Sequence, residues 1–445
     1  MNNLLVSTNP LNNEEIGSVI KSSSTDISDV VAKAKEAQIG WAALDVKERK
    51  SLVDSAYQNL ETMSDDLIQL ISLEMGKDYR RASYEVMGVI QSASYLTSEV
   101  MESIRSTPKG RGVEIQYRPL GVVGVISPWN YPLAMANNLI IPALIAGNTV
   151  VLKPSEVTPL VADNFVKLLS EVLPPNVINI VHGDEEAGKA LVQSDINMIA
   201  FTGSVNAGKD IMKSASSSLH RLVMELGGND PMIVLHDADV QAAARFAVAS
   251  SFENAGQMCT STERVYVDES IYDMFIKRVV EIASQYKVGA WNENRVNIGP
   301  LASQQQHEHV LKHLEDAAEK GAKFELGASS YNAPFIQPTV VSDITDNMLI
   351  EQDETFGPVV AIAKFNSVED AIARANNSIY GLGAVVFGHR DAKKVADEME
   401  AGMVSVNGGV GSGDAPWVGA KQSGFGYHGG IEGHRQFTQI RVMSL

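Results

Sequence analysis

The chain contains one cysteine, Cys259, in Asn254-Ala255-Gly256-Gln257-Met258-Cys259-Thr260, just after a helical pattern. A lone cysteine is most often a small buried hydrophobe. At a glycine-containing junction between helix and strand it also stands where functional residues gather. A thiol with an ordinary pKa of about 8.5 is mostly protonated at neutral pH, yet it is intrinsically nucleophilic. To attack a carbonyl it needs N–H donors that hold the charge developing on oxygen. Glu225, in Leu222-Val223-Met224-Glu225-Leu226-Gly227-Gly228, closes an apolar strand before a Gly-Gly bend. Such a carboxylate leaves the carboxyl edge of a parallel sheet, where ligands bind, and could act as general base on a water. A solvated strand-end charge is the plainer alternative. Asn130, in Ser127-Pro128-Trp129-Asn130-Tyr131-Pro132, lies between two prolines that stiffen its loop. Its amide could donate to an oxyanion or simply serve a turn.

Other segments could hold a phosphorylated ligand. Gly203-Ser204-Val205-Asn206-Ala207-Gly208 follows an expected strand and opens a helix. Glycine lets backbone approach a phosphate, and a helix start offers free N–H groups. The spacing is not G-x-G-x-x-G, so alone it reads as an ordinary strand–helix turn. Lys153 and Glu156, in Leu152-Lys153-Pro154-Ser155-Glu156, could bond ribose hydroxyls, and a carboxylate there would repel a 2′-phosphate. As a surface pair they would be worth little. There is no H-E-x-x-H, no paired cysteine and no histidine cluster, so no metal site is expected, and no P-loop motif occurs.

These residues need a frame of some size. The chain has 445 residues and predicts two to four domains. Hydrophobic residues are 44% and charged residues 20%, which excludes wholesale disorder. The net charge of −18 disfavours nucleic acid or an anionic membrane as main partner. One cysteine excludes an internal disulfide. Met1–Leu5 lacks the basic and apolar regions of a signal peptide, and the apolar stretch 119–152 is broken by prolines and asparagines, so a cytosolic protein is expected.

Helical periodicity covers 26–44 and 46–64. From about 121, strands (122–126, 149–153, 177–181, 198–202, 221–225) alternate with helices (133–146, 159–172, 185–193, 206–215). A second alternating block spans 231–406, with strands at 232–235, 264–267, 359–365, 383–387 and 404–407. Its expected helices are 239–255, 270–285, 304–320, 368–377 and 391–400. Such alternation predicts parallel sheets with helices on both faces. Val113–Arg118 and Phe437–Met443 read as peripheral strands, pairing across domains or subunits or lying on their own domain.

Taken together, the motifs resemble those of the NAD(P)-dependent aldehyde dehydrogenases. The matching pieces are Pro128-Trp129-Asn130-Tyr131-Pro132, Lys153-Pro154-Ser155-Glu156, Phe201-Thr202-Gly203-Ser204, Glu225-Leu226-Gly227-Gly228, Gly256-Gln257-Met258-Cys259, Glu354-Thr355-Phe356-Gly357-Pro358 and Ser423-Gly424-Phe425-Gly426. They occur in the family's order over the whole chain. The resemblance implies an α/β fold with two Rossmann-like parallel-sheet domains and a small bridging sheet for oligomerisation. It implies an NAD-binding domain at 1–104 and 121–227, a catalytic domain at 228–422 and bridging strands at 105–120 and 423–445. It also implies a homodimer or homotetramer with those strands paired across subunits.

By the same resemblance, Cys259 would attack the aldehyde, and the Asn130 amide and the Cys259 N–H would hold the oxyanion. Glu225 would activate the water that hydrolyses a thioester. Lys153 and Glu156 would hold the adenosine ribose, and Gly203, Ser204 and Gly208 would line the pyrophosphate. Glu354 would bond the nicotinamide ribose, with Phe356 near the ring and Trp129 supporting that end. Glu156 favours NAD, with NADP possible. Near the C-terminus, Tyr427-His428 stands where many relatives have Arg-Glu, so His428 either relays protons or shapes the pocket rim. Asn138 and Glu253 stand at two positions where semialdehyde-specific relatives carry arginines, which predicts a neutral or cationic aldehyde. Met135, Asn138, Glu253, Met258 and Thr260 are the expected pocket residues. A semialdehyde dehydrogenase, a coenzyme-A-acylating relative and a non-catalytic protein keeping the fold are the alternatives.

Overall fold

The structure is a computed structural model and describes residues 3–409 and 414–444. Met1, Asn2 and Leu445, which end the expected outer segments, and 410–413, within the expected catalytic domain, lie outside the described residues.

Short β-branched runs build two sheets. Val122–Ile126, Thr149–Lys153, Ile178–Ile180, Met198–Thr202 and Arg221–Glu225 form a parallel sheet, with Val122–Ile126 between Thr149–Lys153 and Met198–Thr202. Three of these strands are buried throughout, as a sheet covered on both faces requires, and so are the last three residues of Arg221–Glu225. The chain runs outward through the first three strands and then returns to the other side of Val122–Ile126. This order reversal opens a crevice at the carboxyl ends. The second sheet has seven strands and centres on Asp230–Val234 and Thr262–Asp268. Lys323–Leu326 is its antiparallel edge.

The structure adds elements in the N-terminal region and differs from the expectation at the C-terminus. Helices Ser64–Met75 and Tyr79–Ser103, and the hairpin of Leu4–Thr8 with Glu15–Ile20, complete the N-terminal region. Of 423–445, only Thr438–Ser444 joins the small sheet, pairing antiparallel with Val113–Pro119, which also pairs with Thr107–Gly110. Gly424–Phe425 instead adds antiparallel to Arg221–Glu225. Within one chain, then, the two peripheral strands pair with each other.

Buried polar groups fasten these layers. Helices Pro132–Ile145 and Pro159–Ser170 begin with proline and have no side-chain N-cap. Carboxylates from neighbouring helices serve them instead. Glu85 accepts the Leu133 and Ala134 N–H groups (3.0 and 3.1 Å), and Glu74 those of Leu160 and Val161 (2.9 and 2.8 Å). Fully buried Asn148 ties the small sheet to the large one. Its Oδ1 accepts the Leu120 and Gly121 N–H groups at 2.6 and 2.9 Å, and its Nδ2 donates to the Phe437 carbonyl at 2.9 Å.

Asn148→Ala orphans two backbone donors and one acceptor at the root of the small sheet. It should cost about 3 kcal/mol. Circular-dichroism melting should show a transition lower by several degrees; an unchanged transition would contradict this role for Asn148.

Candidate active site

The carboxyl ends of the first sheet face the second sheet across a cavity of about 660 Å³. One wall carries Trp129, Asn130, Tyr131, Met135, Glu156, Thr202, Gly203, Ser204 and Gly227, and the other Glu253, Met258, Cys259, Thr260, Glu354 and Phe356.

Cys259 reaches this wall by an abrupt reversal of the backbone. Helix Val240–Ser251 is followed by three left-handed residues, Asn254, Ala255 and Gly256 (φ 51°, 59° and 76°). A Cβ at Gly256 would lie 2.0 Å from the Gly357 carbonyl oxygen, so only glycine fits. The Asn254 amide donates to the Asn130 and Gln257 carbonyls (3.1 and 3.3 Å), and Gln257 Oε1 accepts the Ala302 N–H at 2.9 Å. These bonds hold the reversed loop against the Asn130 loop.

The Cys259 thiol donates to Glu225 Oε1 at 3.3 Å. Glu225 Oε2 lies 2.9 Å from His428 Nε2. Both Glu225 and His428 are buried, and the His428 ring stacks on Trp417 (centroids 6.4 Å, planes 16° apart). Burial, and then the Glu225 carboxylate, push the Cys259 thiol well above its ordinary pKa. The resting group is therefore a thiol whose proton already points at a carboxylate. Asn130 Nδ2 donates to the Gln257 carbonyl at 2.9 Å. That bond uses one amide proton and leaves the other. The Cys259 N–H makes no hydrogen bond among the described residues.

The residues fit a dinucleotide. Ser204 caps helix Val205–Ala215 through the Ala207 N–H (3.3 Å), and the Val205 and Asn206 N–H groups have no partner among the described residues. The buried Thr202 hydroxyl has no partner among the described residues. Glu354 Oε1 accepts the Gly228 N–H at 2.9 Å, and a Cβ at Gly227 would lie 2.3 Å from its other oxygen. Burial raises the Glu354 carboxyl to about 8. Phe356 is left-handed (φ 53°), with its N–H held by Glu263 at 2.8 Å, and packs edge-on against Trp129 (centroids 5.5 Å). Lys153 Nζ lies 3.6 Å from Glu156; the lysine is buried and burial lowers its pKa, while Glu156 is exposed.

Of the expected residues, Glu225, Lys153, Gly208 and Asn138 do not line this cavity; Glu225 meets it through Cys259 and Lys153 through Glu156, and the other two stand elsewhere. Gly208 packs under Leu226, where a Cβ would lie 2.7 Å from Leu226 Cδ2, so it sets helix–strand spacing and does not line the cavity. Asn138 lines a separate cleft behind Tyr131 and Glu253. Other site residues escaped the sequence reading. Trp417 enters because strand Trp417–Val418 pairs with Tyr427–His428. Arg81 enters by reaching Glu253 at 2.8 Å from a distant helix. No local spacing signals either.

The aldehyde dehydrogenase family model matches residues 2–443. The chain is 36% identical to the mitochondrial succinate-semialdehyde dehydrogenase of Arabidopsis thaliana, over 98% of this chain and 85% of that protein. It is 38% identical to aldehyde dehydrogenase 1A1 of Homo sapiens, over 98% and 90%. Among solved structures it is similar to aldehyde dehydrogenase C of Pseudomonas syringae complexed with NAD⁺ and octanal. There the TM-score is 0.95 at 31% identity, covering 99% of this chain and 93% of that one.

Because Cys259 is the only cysteine, alkylation reads one site. Its rate with iodoacetamide should rise with a midpoint above the ordinary thiol value, and Glu225→Gln should move that midpoint down. A midpoint at the ordinary value in both proteins would contradict the electrostatic description.

Proposed function

The chain belongs to the aldehyde dehydrogenase family, and we propose that it oxidises an aldehyde to the carboxylic acid through a thioester on Cys259, with NAD as oxidant. The observation carrying this reading is the 3.3 Å contact of Glu225 Oε1 with the sulfur of Cys259, a residue of the cavity wall.

Glu225 takes the thiol proton as Sγ attacks the carbonyl, so the raised thiol pKa does not prevent attack. The free Asn130 amide proton and the Cys259 N–H converge on the oxyanion. When bound, nicotinamide supplies the hydride acceptor that the oxidation requires. Cys259 then holds the acyl group, and Glu225 orients and deprotonates the hydrolytic water. His428 holds Oε2 of Glu225, which leaves Oε1 toward the sulfur. Exposed Glu156, beside Lys153, meets the adenosine ribose; the Gly203–Ser204 turn and its helix meet the pyrophosphate. Glu354 bonds the nicotinamide ribose, with Phe356 and Trp129 beside the ring. NADP remains usable, since Glu156 is exposed and can turn aside.

The substrate is a neutral or cationic aldehyde, with Met135, Met258 and Thr260 around its reacting end. The similarity to a succinate-semialdehyde dehydrogenase favours a second reading, a semialdehyde substrate. Against it, Glu253 places a carboxylate on the wall. Glu225, held at the sulfur, favours water over coenzyme A as acyl acceptor. We further infer a cytosolic homodimer or homotetramer. Ile440 and Val442, on the edge strand of the small sheet, are 53% and 65% exposed and suit burial against a second copy. Among the described residues no helix is long and apolar enough to cross a membrane. The cofactor domain is 1–104 with 121–227, and the catalytic domain is 228–422.

Cys259→Ala should abolish NADH formation while leaving NAD binding intact. Glu225→Gln should lower kcat about a hundredfold or more. Hydroxylamine, which cleaves thioesters directly, should restore much of that loss; no rescue would contradict a deacylating role. Glu156→Ala should raise the NADP-to-NAD ratio of kcat/KM about tenfold, and an unchanged ratio would remove Glu156 from the ribose site.

A further inference from the structure

Glu253 and Tyr131 line both the 660 Å³ cavity and a neighbouring cleft of about 290 Å³. They form the partition between the sulfur and that cleft. Glu253 Oε1 accepts from Arg81 Nε at 2.8 Å and from the Tyr131 hydroxyl at 3.2 Å. Its Oε2 makes no bond among the described residues, and the side chain is 34% exposed. One carboxylate oxygen is thus clamped and the other is offered.

The clamp is itself built. Arg81 Nη1 donates to Asp78 at 2.7 Å and to the Asn297 carbonyl at 2.8 Å. Lys77 lies 3.7 Å from the Tyr131 ring centroid and pairs with Glu85, which caps the helix carrying Met135. The network holds two cations, Lys77 and Arg81, against three carboxylates, Asp78, Glu85 and Glu253. Its net charge is negative, and in a partly desolvated site such an excess attracts a cation and repels a second carboxylate. Arg81, already matched by Asp78 and Glu253, has little charge left to grip an anionic tail.

A second feature points the same way. Asn137 sits in the largely apolar helix Pro132–Ile145, is 3% exposed, and lines the cleft. Its Oδ1 has no partner among the described residues. A buried acceptor left unbonded costs about 1–3 kcal/mol unless a ligand or water donates to it. Its neighbour Asn138 opens onto the same cleft.

We propose that Glu253, clamped by Arg81 and Tyr131, determines substrate choice by receiving the ammonium tail of a cationic amino-aldehyde, with Asn137 as a further acceptor for its N–H groups. This rests on the aldehyde-oxidising reading above and narrows it. Arg81 is a positioning residue, which keeps the Glu253 carboxylate at the partition.

The test compares kcat/KM of the wild-type enzyme, with NAD, for 3-aminopropanal, 3-hydroxypropanal, butanal and succinate semialdehyde. The amino-aldehyde should exceed butanal at least tenfold and succinate semialdehyde by more. Glu253→Gln should lower the amino-aldehyde-to-butanal ratio at least tenfold. Butanal or succinate semialdehyde equalling or beating the amino-aldehyde in the wild type would overturn the proposal, as would a ratio that Glu253→Gln leaves unchanged. A preference for 3-hydroxypropanal over 3-aminopropanal would overturn it too, by showing that a neutral donor is what the cleft selects. If Glu253→Gln does not fold, the wild-type ratios decide alone. Oxidation of no aldehyde at all would instead defeat the underlying reading.

Discussion

Three consecutive left-handed residues, Asn254, Ala255 and Gly256, turn the chain leaving helix Val240–Ser251 back toward the first sheet, and the position of Cys259 depends on that reversal. For Asn254 and Ala255 the conformation costs about 1–2 kcal/mol each. The Asn254 amide offsets part of this by bonding two carbonyls on either side of the fold line. Gly256 permits the approach to Gly357 that a Cβ would block. The strain is local, but its result is a long-range contact: a sulfur in the loop before strand Thr262–Asp268 meets a carboxylate at the end of strand Arg221–Glu225.

That carboxylate is equally constrained. Glu225 ends its strand between Thr202, its parallel neighbour, and Gly424, its antiparallel one. The antiparallel strand both covers the edge of the sheet and, after a bend, delivers His428 to the second oxygen of Glu225. Burial also governs the deeper acids. It raises Asp230 to about 7 and Glu354 to about 8. Their charges add to the push that burial and Glu225 exert on the Cys259 thiol.

The strand–helix alternation from 121 to 225 was legible because buried parallel strands are short runs of Val and Ile bounded by glycine, proline or asparagine. Catalytic candidates were legible where chemistry imposes a local signature, as around Cys259 and Glu225. What escaped was set by tertiary contact. The hairpin at 4–20 carries apolar residues that stay mostly exposed, so no buried face gives it a period, and Lys323–Leu326 is a short edge strand with little burial. Gly424–Phe425 is too short to show a period. Gly208 sits where a phosphate-binding glycine would, yet its lack of a side chain serves Leu226. Glu253 reads in sequence as an isolated acid, and only the fold brings Arg81 to it from 172 residues away.

In the proposed reaction, Cys259 carries the substrate's acyl group during turnover. Acid quenching of the enzyme during steady-state oxidation of butanal with NAD, followed by peptide mass spectrometry, tests it most directly. A butanoyl thioester is expected on the Cys259 peptide, dependent on both substrates and labile to hydroxylamine. NADH production with that peptide unmodified, or with the acyl group on another residue, would contradict it.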